Sequence, residues 1–134
     1  MITRRIWLPT MILAALTLLV TACSQPSQDA DGYTPITVEQ LAGMLEDKDF
    51  TLVNVRIPYD GEIPQTDLFI PFDEIEEHLD EFPDKGAPIV LYCRSGYMST
   101  SAAKTLASLG YTNIMEVDGG MKAWQAAGYE LLSQ

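Results

Sequence analysis

Apolar residues along this chain gather into short continuous runs, separated by stretches in which they recur every three or four positions. The continuous runs are residues 50–55 (FTLVNV), 68–70 (LFI), 89–93 (IVLYC) and 113–117 (NIMEV). Their length and β-branched content predict strands buried on both faces. Between them the spacing predicts helices over residues 38–47, 74–82 (EIEEHLDEF, with Ile75, Leu79 and Phe82 on one face), 97–109 and 121–127. Thr37 and Gln40 have the spacing of a capping box, Ile36 and Leu41 that of a hydrophobic staple, and Asp73 and Glu76 repeat the capping pattern. Gly110 follows the third helix at the position where a left-handed residue closes a helix, and Gly128 stops the last one. Strands alternating with helices predict an α/β domain, a parallel sheet flanked by helices on both faces. Ligands in such sheets sit beyond the carboxyl ends of the strands. Cys93 falls at one of those ends.

The start of the chain has a different pattern. Residues 1–22 read MITRRIWLPTMILAALTLLVTA, with Arg4 and Arg5 ahead of an apolar stretch that closes on small residues. Its apolar core is shorter than the roughly 20 residues that span a bilayer, and the layout is that of a secretory signal. The following VTAC (residues 20–23) resembles the lipobox of bacterial lipoproteins. That resemblance implies cleavage before Cys23, lipidation of its sulfur, and a membrane anchor on the extracytoplasmic side of the cell envelope. Ser24 after the cysteine is compatible with an outer-membrane destination in a cell that has one. TRRIWL matches the twin-arginine export pattern only loosely. Residues 23–33 are polar, acidic and poor in aliphatics, so they are expected to form a flexible tether. Residues 34–134 remain as one domain, large enough for a single core.

Charge narrows the choice of partners. Eight Lys and Arg stand against nineteen Asp and Glu in the 134 residues, and every acidic residue follows Cys23. Loss of Arg4 and Arg5 with the signal would leave a net charge of −13. No basic stripe offers itself to nucleic acid, and small anions are repelled at long range. An anion site here must work through local donors. His78, in EEHLDE, has no other His or Cys near it in sequence, so it is read as a solvated helix edge; no metal site and no cofactor are expected. Trp124 and Tyr129 are read as packing residues.

The sequence contains two cysteines. With Cys23 lipidated, Cys93 is the remaining thiol and has no internal partner. It stands where a strand turns through Arg94, Ser95 and Gly96 into a helix of small residues. Backbone N–H groups at such a turn point inward and, with the helix N-terminus, stabilise an anion. The same field favours a thiolate, which is the nucleophilic form of cysteine. Gly96 permits a backbone conformation that a side chain would hinder.

NVR (residues 54–56), CRSG (93–96), LASLGYTNI (106–114) and VDGGMKAW (117–124), in that order, resemble the rhodanese family over nearly all of residues 34–132. The resemblance implies sulfur transfer: a thiolate takes the sulfane sulfur of thiosulfate or of a persulfide and hands it to a thiol or cyanide. By the same resemblance Cys93 is the catalytic nucleophile, and Arg94, Ser95, Gly96, Tyr97, Met98 and Ser99 form the substrate-binding loop. Arg56 is a supporting arginine with Asp60 as its candidate partner, and Gly119, Gly120 and Trp124 shape the fold. The implied partners are a small sulfur donor and a thiol acceptor. This chain departs from the family pattern at Met98, where relatives often have Arg, Lys or Thr, and at GEIPQT (residues 61–66) in place of GHIPGA, so that Glu62 replaces a histidine. These departures count against thiosulfate as the physiological donor.

Three rival readings share parts of the pattern. A phosphatase or arsenate reductase on this fold needs an arginine six residues after the cysteine, where this chain has Ser99. A thiol–disulfide oxidoreductase lacks its resolving cysteine. A catalytically silent, lipid-anchored binding module would use the fold for protein contact; relatives that lose activity usually lose the cysteine, which is present here.

Overall fold

A computed structural model describes residues 29–133. The expected signal segment, Cys23 and the first part of the expected tether lie outside the described residues. The end of that tether is ordered: residues 29–33 form a turn in which the Asp29 N–H donates to Tyr33 O, and the Tyr33 ring joins the core.

Five strands form one parallel sheet. In chain order they are β1 (Thr34–Ile36), β2 (Thr51–Asn54), β3 (Leu68–Phe69), β4 (Ile89–Tyr92) and β5 (Ile114–Val117). Their spatial order is β1-β5-β4-β2-β3, which puts β4 in the middle. The helices are α1 (Val38–Leu45), α2 (Tyr97–Ser108) and α3 (Gly120–Ala126). Alternation along the strands divides the core in two. Val53, Ile89, Leu91 and Ile114 face α2, whereas Leu52, Val90, Tyr92 and Val117 face Ile36, Leu41, Met121 and Trp124. Side chains on successive strand residues point to opposite faces, so the continuous apolar runs serve both cores at once.

The predicted strands and three of the four predicted helices are present, with ends shifted by one or two residues. The Thr37–Gln40 capping box forms with both hydrogen bonds, at 2.8 and 3.1 Å. α2 closes in a Schellman motif: Gly110 N–H donates to Ala107 O and Tyr111 N–H to Leu106 O, with Gly110 at φ 93°. Trp124 is buried and stacks on Tyr129 at 4.4 Å, the packing role expected of both.

Two features differ from expectation. β1 does not show in the hydrophobic pattern, because it is three residues long and contains Pro35. It exists through parallel pairing with β5 at the sheet edge, where a proline is tolerated. The predicted helix over residues 74–82 is instead a 3₁₀ segment, Ile75–Glu81, with a kink at His78 and no side-chain cap at its start. Five acidic residues in nine positions repel one another on a helix, and Pro83 drives Phe82 into an extended conformation. Ile75 and Phe82 still reach the core. His78 sits between Glu81 (2.6 Å) and Glu74 (3.5 Å), and the hydrogen bond to Glu81 is the main cause of its raised pKa.

The first turn of α3 positions the end of β4. Met121 N–H donates to Cys93 O and Lys122 N–H to Arg94 O, both at 2.9 Å. Gly120 (φ 55°) lies so close that an added Cβ would come within 2.3 Å of Cys93 O. Gly120→Ala should therefore destabilise the protein by about 2–3 kcal/mol, as overpacking against backbone does. Urea denaturation of the full chain measures this; an unchanged midpoint would show that the contact is not limiting.

Candidate functional site

β4 ends at Tyr92, and Cys93 is the first residue beyond the sheet. Among the described residues two donors reach its sulfur: Gly96 N–H at 3.0 Å and Ser99 Oγ at 3.3 Å. Gly96 is the N-cap of α2 at φ 113°, ψ −24°, a conformation costly for any residue with a Cβ. That backbone turn aims its N–H at Sγ. Its carbonyl points the other way and accepts from Thr100 N–H at 3.0 Å and from the Thr100 hydroxyl. Because α3 takes up the carbonyls of Cys93 and Arg94, the loop presents donors to the sulfur.

The other predicted loop residues surround this point. Arg94, Ser95 and Tyr97 are exposed, Tyr97 at 80 %, while Met98 is half-buried and Ser99 fully buried. Asp60 accepts from Arg56 Nε at 3.4 Å, as the pairing expects, but its closer partner is Arg94 Nη1 at 2.7 Å. One carboxylate thus offsets the loop's own guanidinium. Arg56 Nη1 reaches Met98 Sδ at 3.9 Å, so a second cation borders the loop that the linear sequence does not show. The buried Asn54 side chain holds the segment from Arg56 to Gly61: its amide donates to Gly61 O, and its carbonyl accepts from Arg56 N–H, both at 3.0 Å. Glu62 pairs through its backbone with Leu132, and its carboxylate adds to the effect of burial in raising the pKa of the Tyr59 hydroxyl.

Glu116 is a site residue absent from the sequence reading. It lies in β5 on the α2 side, 5 % exposed, and its Oε1 is 2.5 Å from Ser99 Oγ. Burial raises its pKa, Asp118 adds to the rise, and the hydrogen bond with Ser99 opposes it. The signal in the sequence was an acid inside the otherwise apolar run NIMEV, at a position whose strand neighbours Ile114 and Val117 are buried. A cavity of about 610 Å³ lies beside β1, lined by Ile36, Met44 and Met115 among others, and includes none of these groups.

This arrangement can hold a sulfur anion on one amide and one hydroxyl, with two guanidiniums nearby that share a carboxylate. The family model described as a rhodanese-like domain matches residues 37–127. A sulfurtransferase of Allochromatium vinosum is 34 % identical over 102 residues, covering 73 % of this chain and 94 % of that protein. Thiosulfate sulfurtransferase PspE of Escherichia coli is 36 % identical over 73 residues, 52 % of this chain and 69 % of the relative. Among solved structures, a rhodanese-like domain protein from Staphylococcus aureus superposes with a TM-score of 0.62 at 33 % identity, covering 74 % of this chain and 98 % of its own. With its parallel five-stranded sheet and a family match over most of its length, this chain belongs to the rhodanese-like domain family.

Proposed function

We propose that this protein is a sulfurtransferase in which Cys93 carries sulfane sulfur as a persulfide. Family membership and the sulfurtransferases among its relatives support the general activity. The observation that carries the residue-level reading is the Cys93 sulfur beyond the end of the central strand, facing Gly96 N–H and the Ser99 hydroxyl. In the first step the Cys93 thiolate attacks the sulfane sulfur of the donor. A new S–S bond forms, the donor's own bond to that sulfur breaks, and the leaving sulfite or thiolate takes the electron pair. In the second step an acceptor thiolate or cyanide attacks the terminal sulfur, and the Cys93 thiolate leaves. The loop donors stabilise the anion present on Cys93 before and after each step. With one thiol serving both halves, the kinetics are ping-pong.

One observation favours the rival reading, a silent binding module. Cys93 is only 2 % exposed, so a donor needs the loop to move or must approach in a narrow line. Alkylation separates the two readings: a sulfur held by these donors as thiolate reacts fast at neutral pH, and an inert buried thiol reacts slowly.

We further propose that the chain is exported and anchored by lipid on Cys23, with the domain facing the extracytoplasmic side of the envelope. The VTAC motif supports this reading. Two acyl chains hold a protein to a membrane far more firmly than one.

Incubation with thiosulfate or with a small alkyl persulfide should add the mass of one sulfur atom to Cys93. Cys93→Ser should abolish both the adduct and transfer while keeping the fold; transfer at near wild-type rate in that variant would reject the mechanism. Cys23→Ser should prevent lipid incorporation and release the protein from the membrane. Equal labelling by radioactive palmitate in wild type and variant would reject the anchor.

The charges around the loop set a further expectation. The domain is acidic and Asp60 neutralises part of the local cationic field, so thiosulfate, a dianion, should be a poor donor with a high KM. Asp60→Asn frees Arg94 and Arg56 from their shared carboxylate. Its kcat/KM for thiosulfate should rise about threefold relative to that for the alkyl persulfide, the scale of a partly exposed ion pair. High salt should shrink the difference. A wild type that already prefers thiosulfate, with no change in Asp60→Asn, would show that the local charge does not limit the site.

A further inference from the structure

Ser99 Oγ carries one proton and lies within reach of three acceptors: Glu116 Oε1 at 2.5 Å, Gly96 O at 3.2 Å and Cys93 Sγ at 3.3 Å. A hydroxyl donates once and accepts through its lone pairs. The direction of its hydrogen bond is therefore a choice, and the chemistry of its neighbours decides it.

We propose that Glu116 is a positioning residue for Cys93, its carboxyl determining whether the Ser99 hydroxyl donates to the sulfur. With Glu116 ionised, the short O–H···O⁻ contact takes the Ser99 proton. A lone pair then faces Sγ, and Gly96 N–H is left as the sulfur's donor. With Glu116 protonated, its own O–H donates to Ser99 Oγ over the same 2.5 Å, and the Ser99 proton turns to Sγ. The thiolate, or the persulfide anion that follows, then has both donors.

The same contacts give the thiol proton a place to go. Starting from a thiol and an ionised Glu116, the S–H bond breaks as its proton passes to Ser99 Oγ. The former Ser99 O–H bond breaks as that proton passes to Glu116 Oε1. The products are a thiolate, an intact hydroxyl and a carboxylic acid. The group carries one negative charge throughout, so the transfer never places two anions in the buried site, which burial would penalise heavily.

The surroundings of Glu116 favour the protonated form. Desolvation raises its pKa, and Asp118, in the turn just after β5, acts in the same direction. Its register partners, Pro35 on β1 and Leu91 on β4, bring no charge. Tyr33, ahead of β1, feels the Glu116 charge, and its own pKa is raised chiefly by burial. Lys104 of α2 acts on Tyr33 and pairs with Asp31 at 3.4 Å. A Cβ at Gly96 would lie 3.8 Å from Glu116 Oε1, so the carboxyl also packs against the turn that forms the loop. Two groups joined in this way titrate as a pair, each reporting the other's protonation.

The proposal rests on reading Cys93 as a reactive thiol, yet neither test below requires sulfur transfer, so it can fail or hold independently of that activity. The first is the pH dependence of iodoacetamide alkylation in the full chain, followed on the Cys93 peptide by mass spectrometry. Wild type should rise in two steps. Glu116→Gln, which can neither ionise nor take up the thiol proton, should rise in one step at a different midpoint, with a rate at neutral pH that differs from wild type by about tenfold, the scale of one hydrogen bond to a charged group. In a Ser99→Ala background the same Glu116→Gln change should alter the rate by less than about threefold, because the connecting hydroxyl is gone. Wild-type and Glu116→Gln profiles of the same shape and midpoint would overturn the proposal. The second test leaves the carboxyl in place, so it does not depend on that variant folding. The ¹³C carboxyl resonance of Glu116 should show two inflections with pH in wild type and one in Cys93→Ser. Identical curves in the two proteins would overturn the coupling.

Discussion

The site depends on the contact between the first turn of α3 and the end of β4. Met121 and Lys122 N–H groups, unpaired within their own helix, take the carbonyls of Cys93 and Arg94. That fixes the peptide planes at the start of the loop, and one backbone N–H, that of Gly96, reaches the sulfur. The approach is possible because Gly120 has no side chain, since backbone atoms occupy the place a Cβ would need. A glycine in a segment remote in sequence thus sets the polarity of the environment around the thiol. Gly96 completes the turn from the other side by aiming its N–H at Sγ.

Electrostatics in this protein work at short range. The net charge is strongly negative, and the two guanidiniums at the loop share Asp60. An approaching anion meets little long-range attraction. At the sulfur itself the donors within hydrogen-bond distance are one backbone N–H and one hydroxyl. Glu116 fits the same pattern. A buried carboxyl beside a thiolate would repel it as an anion, and as an acid it becomes the outer end of a donor chain. Burial and Asp118 both push toward the acid.

Much of the fold could be read directly. Capping-box spacing at Thr37 and Gln40, the glycine after α2, and the apolar runs of β2, β4 and β5 each report a preference that neighbouring residues create. The cysteine turn was legible for the same reason, since strand, glycine and small-residue helix follow one another within a dozen positions. The acidic stretch around His78 misled because periodicity registers where apolar residues fall. It does not weigh the repulsion among the carboxylates between them, nor the effect of Pro83 on the residue before it.

Sequence alone determined the order of β2 to β5 and of α1 to α3, the parallel α/β architecture, the family, and the thiol at a strand end, because each rests on local spacing or on a motif of contiguous residues. Tertiary structure decided what lies against that thiol. Asp60 is 34 residues from Arg94, Glu116 is 17 from Ser99, and Arg56 is 42 from Met98. β1 likewise exists only by pairing with β5, far along the chain. Such contacts arise when the sheet orders its strands and the helices pack on its faces. Side-chain spacing along the chain carries no information about which distant carboxylate or guanidinium will be brought within hydrogen-bond reach.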